Sequence, residues 1–215
     1  IFPFFIFIVG VSIALAYTKL IRKGVSIRSM HGKILFRSLK IFVVGLLLNY
    51  IHHFKLSELR YAGVLQRIAI VFLVCSLLFL HSRWVWQLLT GAGLLVFYWL
   101  VMTLIPTPGH QSAVLEPGIN LAAWIDSQLL PGKLWQETWD PEGILSTVPA
   151  LGTCIMGMLT GKIILSEISK DRKVIRIFIL GFAVCILGYI WSWDFPLNKN
   201  LWTSSYVLVT GGMAM

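Results

Sequence analysis

The sequence predicts an all-α fold, a polytopic transmembrane helical bundle, and three observations carry that prediction. Long apolar stretches recur between short polar segments. Hydrophobic residues make up 57% of the chain and charged residues only 13%, against about 25% charged in an ordinary soluble domain. Basic and acidic residues are also sorted into different connections: Lys19 to Lys40 holds seven Lys and Arg with no acid, whereas Pro106 to Ile144 holds one Lys against five acids. A spanning helix needs about 20 apolar residues, because hydrocarbon tolerates only segments that satisfy their own backbone hydrogen bonds.

Seven apolar spans follow in order: about 1–18, 34–51, 63–81, 84–105, 145–165, 174–192 and 203 onward. They form a single transmembrane domain over residues 1–215. The chain opens without Met inside an apolar stretch and stops inside another, so it reads as a fragment truncated at both ends. The basic connections 19–33 and 166–173, with the short turn at Arg83, face the cytoplasm; 52–62, 106–144 and 193–202 then lie outside. Trp84, Trp86, Trp99, Trp191, Trp193 and Trp202 near span ends suit an interfacial belt. The net charge of +9 lies beside apolar runs, where lipid headgroups account for it; the implied partner is the lipid bilayer, with no nucleic acid. Cys75, Cys154 and Cys185 lie within apolar runs without zinc-ligand spacing, so no metal is expected.

The extracytoplasmic loop 106–144 is several times longer than usual, as functional lids are. Within it, Ile119, Leu121, Ala122, Ile125 and Leu129 recur at near-helical spacing, predicting a short amphipathic helix on the membrane surface between Gly118 and Leu130.

Three polar clusters are candidates for chemistry. In Trp139-Asp140-Pro141-Glu142-Gly143-Ile144-Leu145-Ser146-Thr147, two carboxylates stand at the mouth of the fifth span. Asp140 has a structural alternative, capping that helix. In Pro196-Leu197-Asn198-Lys199-Asn200-Leu201-Trp202-Thr203-Ser204-Ser205, at the mouth of the last span, two amides, an ammonium and an indole can orient a polar ligand, the alternative being interface anchoring by Lys199 and Trp202. Arg60, Gly63 and Arg67 fall at i, i+3 and i+7, so on a continuous helix both guanidinium groups share one stripe roughly 10 Å apart, with Gln66 beside them. An Arg entering a span faces the bundle interior, a partner or a watery cavity. The adjacent His52 and His53 point about 100° apart on a helix and make a poor metal clamp; neither they nor His31, His81 and His110 look like a catalytic base.

Four of these segments resemble a known family. Phe2-Pro3-Phe4-Phe5, Gly63-Val64-Leu65-Gln66-Arg67, Asp140-Pro141-Glu142-Gly143-Ile144-Leu145-Ser146-Thr147 and Asn198-Lys199-Asn200-Leu201-Trp202 resemble, in order and interval, the heparan-alpha-glucosaminide N-acetyltransferase family. The resemblance implies a bacterial multi-pass acetyltransferase of the cytoplasmic membrane. It would move an acetyl group from cytoplasmic acetyl-CoA, its co-substrate, to an amino sugar or glycan acceptor on the far side. It also implies a catalytic histidine shortly before the Phe-Pro motif and further spans beyond this fragment. On that reading Asp140 and Glu142 orient the histidine or the sugar amine, Gln66, Asn198 and Asn200 donate to substrate or oxyanion, and Arg60, Arg67 and Lys199 hold phosphates or carboxylates. Trp202 completes the binding set. Arg22, Lys23, Lys33 and Arg37 would meet the CoA phosphates or simply sit solvated at the cytoplasmic face.

Two other classes use the same features. A transporter or flippase for a polar or anionic solute would need the polar mouths and Arg67 without a covalent step. A catalytically dead scaffold requires that the upstream histidine be absent. Small-residue faces such as Gly91-Ala92-Gly93 and Gly152, Gly157 and Gly161 serve either internal packing or a homodimer.

Overall fold

Pro3 sits in the first turn of α1 (Phe2–Arg22), where its missing N–H has no intrahelical acceptor to lose. Ser26 caps α2 (Ile27–His53) by accepting the Ser29 N–H at 3.4 Å. The order continues with α3 (Val64–His81), α4 (Trp84–Leu104), α5 (Leu121–Leu129), α6 (Ile144–Ile164), α7 (Lys170–Trp191) and α8 (Ser204–Ala214). This computed structural model describes residues 1–54 and 59–215, with His52 and His53 described in backbone only. Among the described residues six helices, all but α5 and α8, are long and apolar enough to cross a membrane. The chain is a multi-pass membrane protein.

Two helix starts differ from the hydropathy reading: α2 begins at Ile27 rather than near 34, and α7 at Lys170 rather than near 174. Hydropathy detects only the apolar part of a helix. Lys and Arg are good helix formers, so both helices continue past the apolar run into polar surroundings. The segment expected to span from 203 onward forms the 11-residue α8, which packs on α7.

α6 is the hub. In its apolar window 67% of residues are buried, against 11% in α7, and it packs on α1, α3, α4, α5 and α8. Its approach to α1 brings backbone against backbone: a Cβ at Gly10 would overlap the Cys154 carbonyl oxygen, and one at Gly157 the Phe7 carbonyl oxygen. Small residues permit that approach where no hydrophobic force drives helices together in lipid. Around this seam Ile6, Ile13, Met30, Ile34, Phe72, Ile155 and Met158 form the main core.

The two ends differ in charge. At the basic end Arg22 pairs with Glu167 at 3.7 Å, and His31 and His81 meet Nε2 to Nε2 at 2.8 Å. At the other end the Trp99 indole donates to Asp194 at 2.6 Å, the Tyr98 hydroxyl donates to the Leu201 carbonyl at 2.6 Å, and Arg60 forms an antiparallel bridge with Gly132. A second apolar cluster of Tyr98, Met102, Leu121, Ala122, Phe195 and Leu201 holds α5 onto this end. The predicted lid helix therefore exists, but its buried face is Leu121, Ala122, Ala123 and Asp126, with Ile119 and Leu129 exposed. Docking on α6 sets that face.

Gly157→Val is expected to destabilise the fold by at least ~2 kcal/mol, because a backbone carbonyl cannot yield to the new side chain. Gly93→Ala, where an added Cβ meets no atom within 4 Å, should leave thermal unfolding in detergent unchanged. Equal behaviour of the two variants would refute the α1–α6 contact.

Candidate functional site

Helix α3 starts at Val64 with Gly63 as its extended N-cap, so Arg60 lies outside the helix and the expected shared stripe of Arg60 and Arg67 does not form. The two guanidinium groups instead approach the segment 140–146 from separate backbone positions. Arg60 Nε donates to Asp140 Oδ2 at 2.6 Å, and its Nη2 donates to Asp140 Oδ1 at 2.6 Å and to Glu142 Oε2 at 2.5 Å. Such bidentate pairing fixes orientation as well as charge. The Trp135 ring packs 4.8 Å from the Arg60 guanidinium carbon, and the Asn49 side chain donates to the Arg60 carbonyl at 2.8 Å.

Asp140 also accepts the Glu142 N–H at 2.9 Å and the Trp135 N–H at 3.2 Å. It does not cap α6. The Ile144 N–H at the start of that helix is accepted at 2.8 Å by Asp126, from α5. Gly143 makes this possible, since any Cβ there would overlap the Asp126 carboxylate. Burial pushes the Asp126 carboxyl up to about 7; the Ile144 N–H opposes the shift, the charge of Asp140 adds to it and Arg67 counters it.

Arg67 lies one turn into α3 and is 1% exposed. Its Nη2 donates to the Pro141 carbonyl at 2.7 Å, to the Ser146 hydroxyl, and at 3.5 Å to the Gly143 carbonyl. The Trp202 ring lies 5.0 Å from its guanidinium carbon, a cation–π contact. Among the described residues no carboxylate lies within 4.0 Å of Arg67, and its Nε and Nη1 are buried without partners. Gln66, packed against Gly45 and Gly63, likewise leaves Nε2 unpaired. Each such orphan costs about 1–3 kcal/mol. The two unpaired N–H edges of Arg67 make a place for an acceptor-rich group, while Gln66, the preceding residue of α3, turns toward Gly45 of α2.

Trp202 is held by a turn. Asn198 Oδ1 accepts the N–H groups of Asn200 and Leu201 at 2.9 and 3.2 Å, and Trp202 takes the left-handed conformation, φ 55, uncommon for a bulky residue. Its indole N–H donates to Thr153 at 3.1 Å and its ring meets Phe2 edge-on at 5.1 Å. The structure thus brings together Arg60, Asp140, Glu142, Arg67 and Trp202, whereas Gln66, next to Arg67 in sequence, packs against Gly45 and Gly63. It makes Asn198 a turn former and leaves Lys199 and Asn200 exposed, without side-chain partners among the described residues. The side chains of His52 and His53 lie outside the described residues; His31 and His81 are at the opposite end and His110 is exposed in the long connection. Sequence reasoning missed Asp126, whose signal was a single acid on the apolar side of an amphipathic segment, and also Asn49, Trp135 and Thr153.

Residues 1–190 match the family model described as heparan-alpha-glucosaminide N-acetyltransferase, catalytic. The whole chain is 29% identical to 41% of the human heparan-alpha-glucosaminide N-acetyltransferase, and 96% of it is 28% identical to 40% of the mouse protein. The chain spans about two fifths of the length of these curated relatives.

The Asp126 contact implies a definite pH response. The folded protein retains a proton, up to a pH of about 7, that the unfolded chain releases near an ordinary carboxyl value of about 4. Its stabilising contribution is therefore complete below about pH 4 and is lost as pH rises through about 7. Asp126→Asn keeps an acceptor for Ile144 without titrating, and should flatten this part of the unfolding-temperature profile between about pH 4 and 8. Parallel profiles for wild type and variant would contradict the assignment.

Proposed function

The chain belongs to the heparan-alpha-glucosaminide N-acetyltransferase family, and from that premise we propose that it is the membrane-embedded part of an acetyltransferase. It takes the acetyl group of acetyl-CoA, presented on the basic side, and delivers it to an amino sugar or glycan at the Arg67 end. By the positive-inside rule the basic side is cytoplasmic and the acceptor side is extracytoplasmic; a bacterial cytoplasmic membrane is the setting this reading implies. The observation that carries the proposal is Arg67, a buried cation with two unpaired N–H edges at the mouth of the hub helix.

The reaction asks for what this cluster offers. With CoA on the basic side, its pantetheine arm must carry the thioester through the bundle to the Arg67 end, where the acceptor amine attacks the carbonyl carbon; the C–N bond forms, the C–S bond breaks and CoA leaves as the thiol. Negative charge grows on the carbonyl oxygen, and the amine must give up a proton. Donors fixed beforehand lower such a barrier because they do not reorganise during the reaction. Arg67 Nε and Nη1 are donors of that kind, for the oxyanion or for substrate oxygens. Asp140, whose two oxygens already accept four N–H groups, acts as a strut for Arg60. Glu142 has one oxygen, Oε1, without a hydrogen bond among the described residues, and orients the acceptor amine or the base. Phe2 lies against Trp202, so the external loop in which the family resemblance places a catalytic histidine, upstream of the Phe-Pro motif, would join α1 at the Arg67 end.

The test is transfer from labelled acetyl-CoA to glucosamine, with the full-length protein in sealed vesicles and the sugar confined to the acceptor side. Label should appear on the sugar. Arg67→Lys and Arg60→Lys, which keep charge but lose planar bidentate donation, should each lower kcat/KM by about 10–100-fold while the protein stays folded. Donor binding without transfer would point to another acceptor. Neither binding nor transfer would replace this proposal with solute transport.

A further inference from the structure

Trp135 lies in the connection between α5 and α6, away from the ends of the spanning helices, and is 60% exposed. An interfacial anchor keeps its ring beside the apolar end of a span. The residues around Trp135 in sequence, Lys133, Gln136, Glu137 and Thr138, are instead exposed and polar, as on an aqueous surface.

The ring is nonetheless held in place. The Trp135 N–H donates to Asp140 at 3.2 Å, and the Gln136 N–H donates to the Trp139 carbonyl at 3.1 Å, closing the turn behind it. On the other side the Lys133 N–H donates to the Leu59 carbonyl at 3.3 Å and Gly132 bridges Arg60. The Arg60 guanidinium carbon stands 4.8 Å from the ring centre and is itself fixed by Asp140 and Glu142. Little of the indole is removed from water by these contacts, so core packing does not account for its placement.

An indole face carries partial negative charge. It suits a ring whose own face is lined with weakly positive C–H hydrogens and whose rim is polar, which describes a pyranose. Glu142, tied to the same guanidinium, has Oε1 without a hydrogen bond among the described residues, an acceptor for an ammonium or hydroxyl at that rim. A purine also stacks on an indole, but the phosphates of a nucleotide would approach Asp140 and Glu142, with Arg60 already paired to both.

We propose that Trp135 is the platform on which the sugar ring of the acceptor lies, with Glu142 Oε1 receiving its ammonium or a hydroxyl. This rests on the reading that the acceptor arrives at the Arg67 end, and adds the residue that selects a sugar over a plain amine.

Two measurements on the full-length protein test it. In acetyl transfer, Trp135→Ala should raise KM for glucosamine about tenfold, with a much smaller change in kcat and none in KM for acetyl-CoA. Trp135→Tyr, which keeps a ring, should recover most of the loss. A lower kcat or unfolding midpoint with KM for glucosamine unchanged would overturn the proposal and leave Trp135 as a shield for Arg60. A raised KM for acetyl-CoA in place of glucosamine would overturn it in favour of the donor's adenine. The second measurement needs no turnover: saturation-transfer NMR with glucosamine alone should show magnetisation reaching the sugar C–H protons, lost in Trp135→Ala and kept in Trp135→Tyr. That pattern without acetyl transfer would retain the platform and strike only the acetyltransferase reading. Absence of saturation transfer from the wild-type protein would overturn the platform.

Discussion

A permanently charged guanidinium shut away from water at the mouth of α6 is the constraint to which the surrounding structure is fitted. Arg67 does not shed its proton, and an ion taken out of water costs several kcal/mol unless its surroundings compensate. The compensation comes from the Pro141 and Gly143 carbonyls, the Ser146 hydroxyl and the Trp202 ring. Three of those four groups belong to one short segment, so that segment must keep one shape. The Arg60–Asp140 pair fixes its start and the Asp126–Ile144 bond fixes its end. The docking of α5 and the strained turn at Trp202 follow from the same requirement, because each delivers one of these contacts.

α6 has two structural tasks that reinforce each other. Through Gly157 it meshes with α1 backbone to backbone, and through its N-terminal half it receives contacts from α3, α5 and the turn before α8. Close-packed seams of this kind transmit displacement instead of absorbing it. A shift of α6 at the seam would therefore move the oxygens that solvate Arg67. The second apolar cluster around Tyr98 and Phe195 keeps α5 against the same end, so the long connection is part of the site's wall.

The fold was legible because its signals were redundant: apolar length, charge sorting and loop character all pointed to a helical bundle, and the helices formed where hydropathy placed them. The starts of α2 and α7 were less legible, since hydropathy marks where a helix is greasy and Lys or Arg extend it unseen. At the site, Asp140, Glu142 and Arg67 stood out as charges at span ends. Their pairing did not, because Arg60 reaches Asp140 across 80 positions of sequence, a separation that no local period encodes. That Asn198 Oδ1 closes a turn on its own backbone was not legible either, because an amide looks the same whether it faces substrate or its own backbone. Asp126 was passed over for the opposite reason. One acid in an amphipathic segment looks like a solvated face until the partner helix is known.

The close packing of the hub bears on how the candidate site could move. Carriers that alternate access rock one bundle against another or open broken helices near the midplane. Here the helix that holds the candidate site also makes the tightest seam, and α1, α3 and α6 run unbroken from one end to the other, with Pro149 accommodated inside α6. Rocking α6 would separate glycines from carbonyls in the seam and leave Arg67 without its oxygens at the same time. The candidate site therefore sits on the most closely packed helix of the described residues, and any movement of α6 against α1 would be felt at once by the groups that surround Arg67.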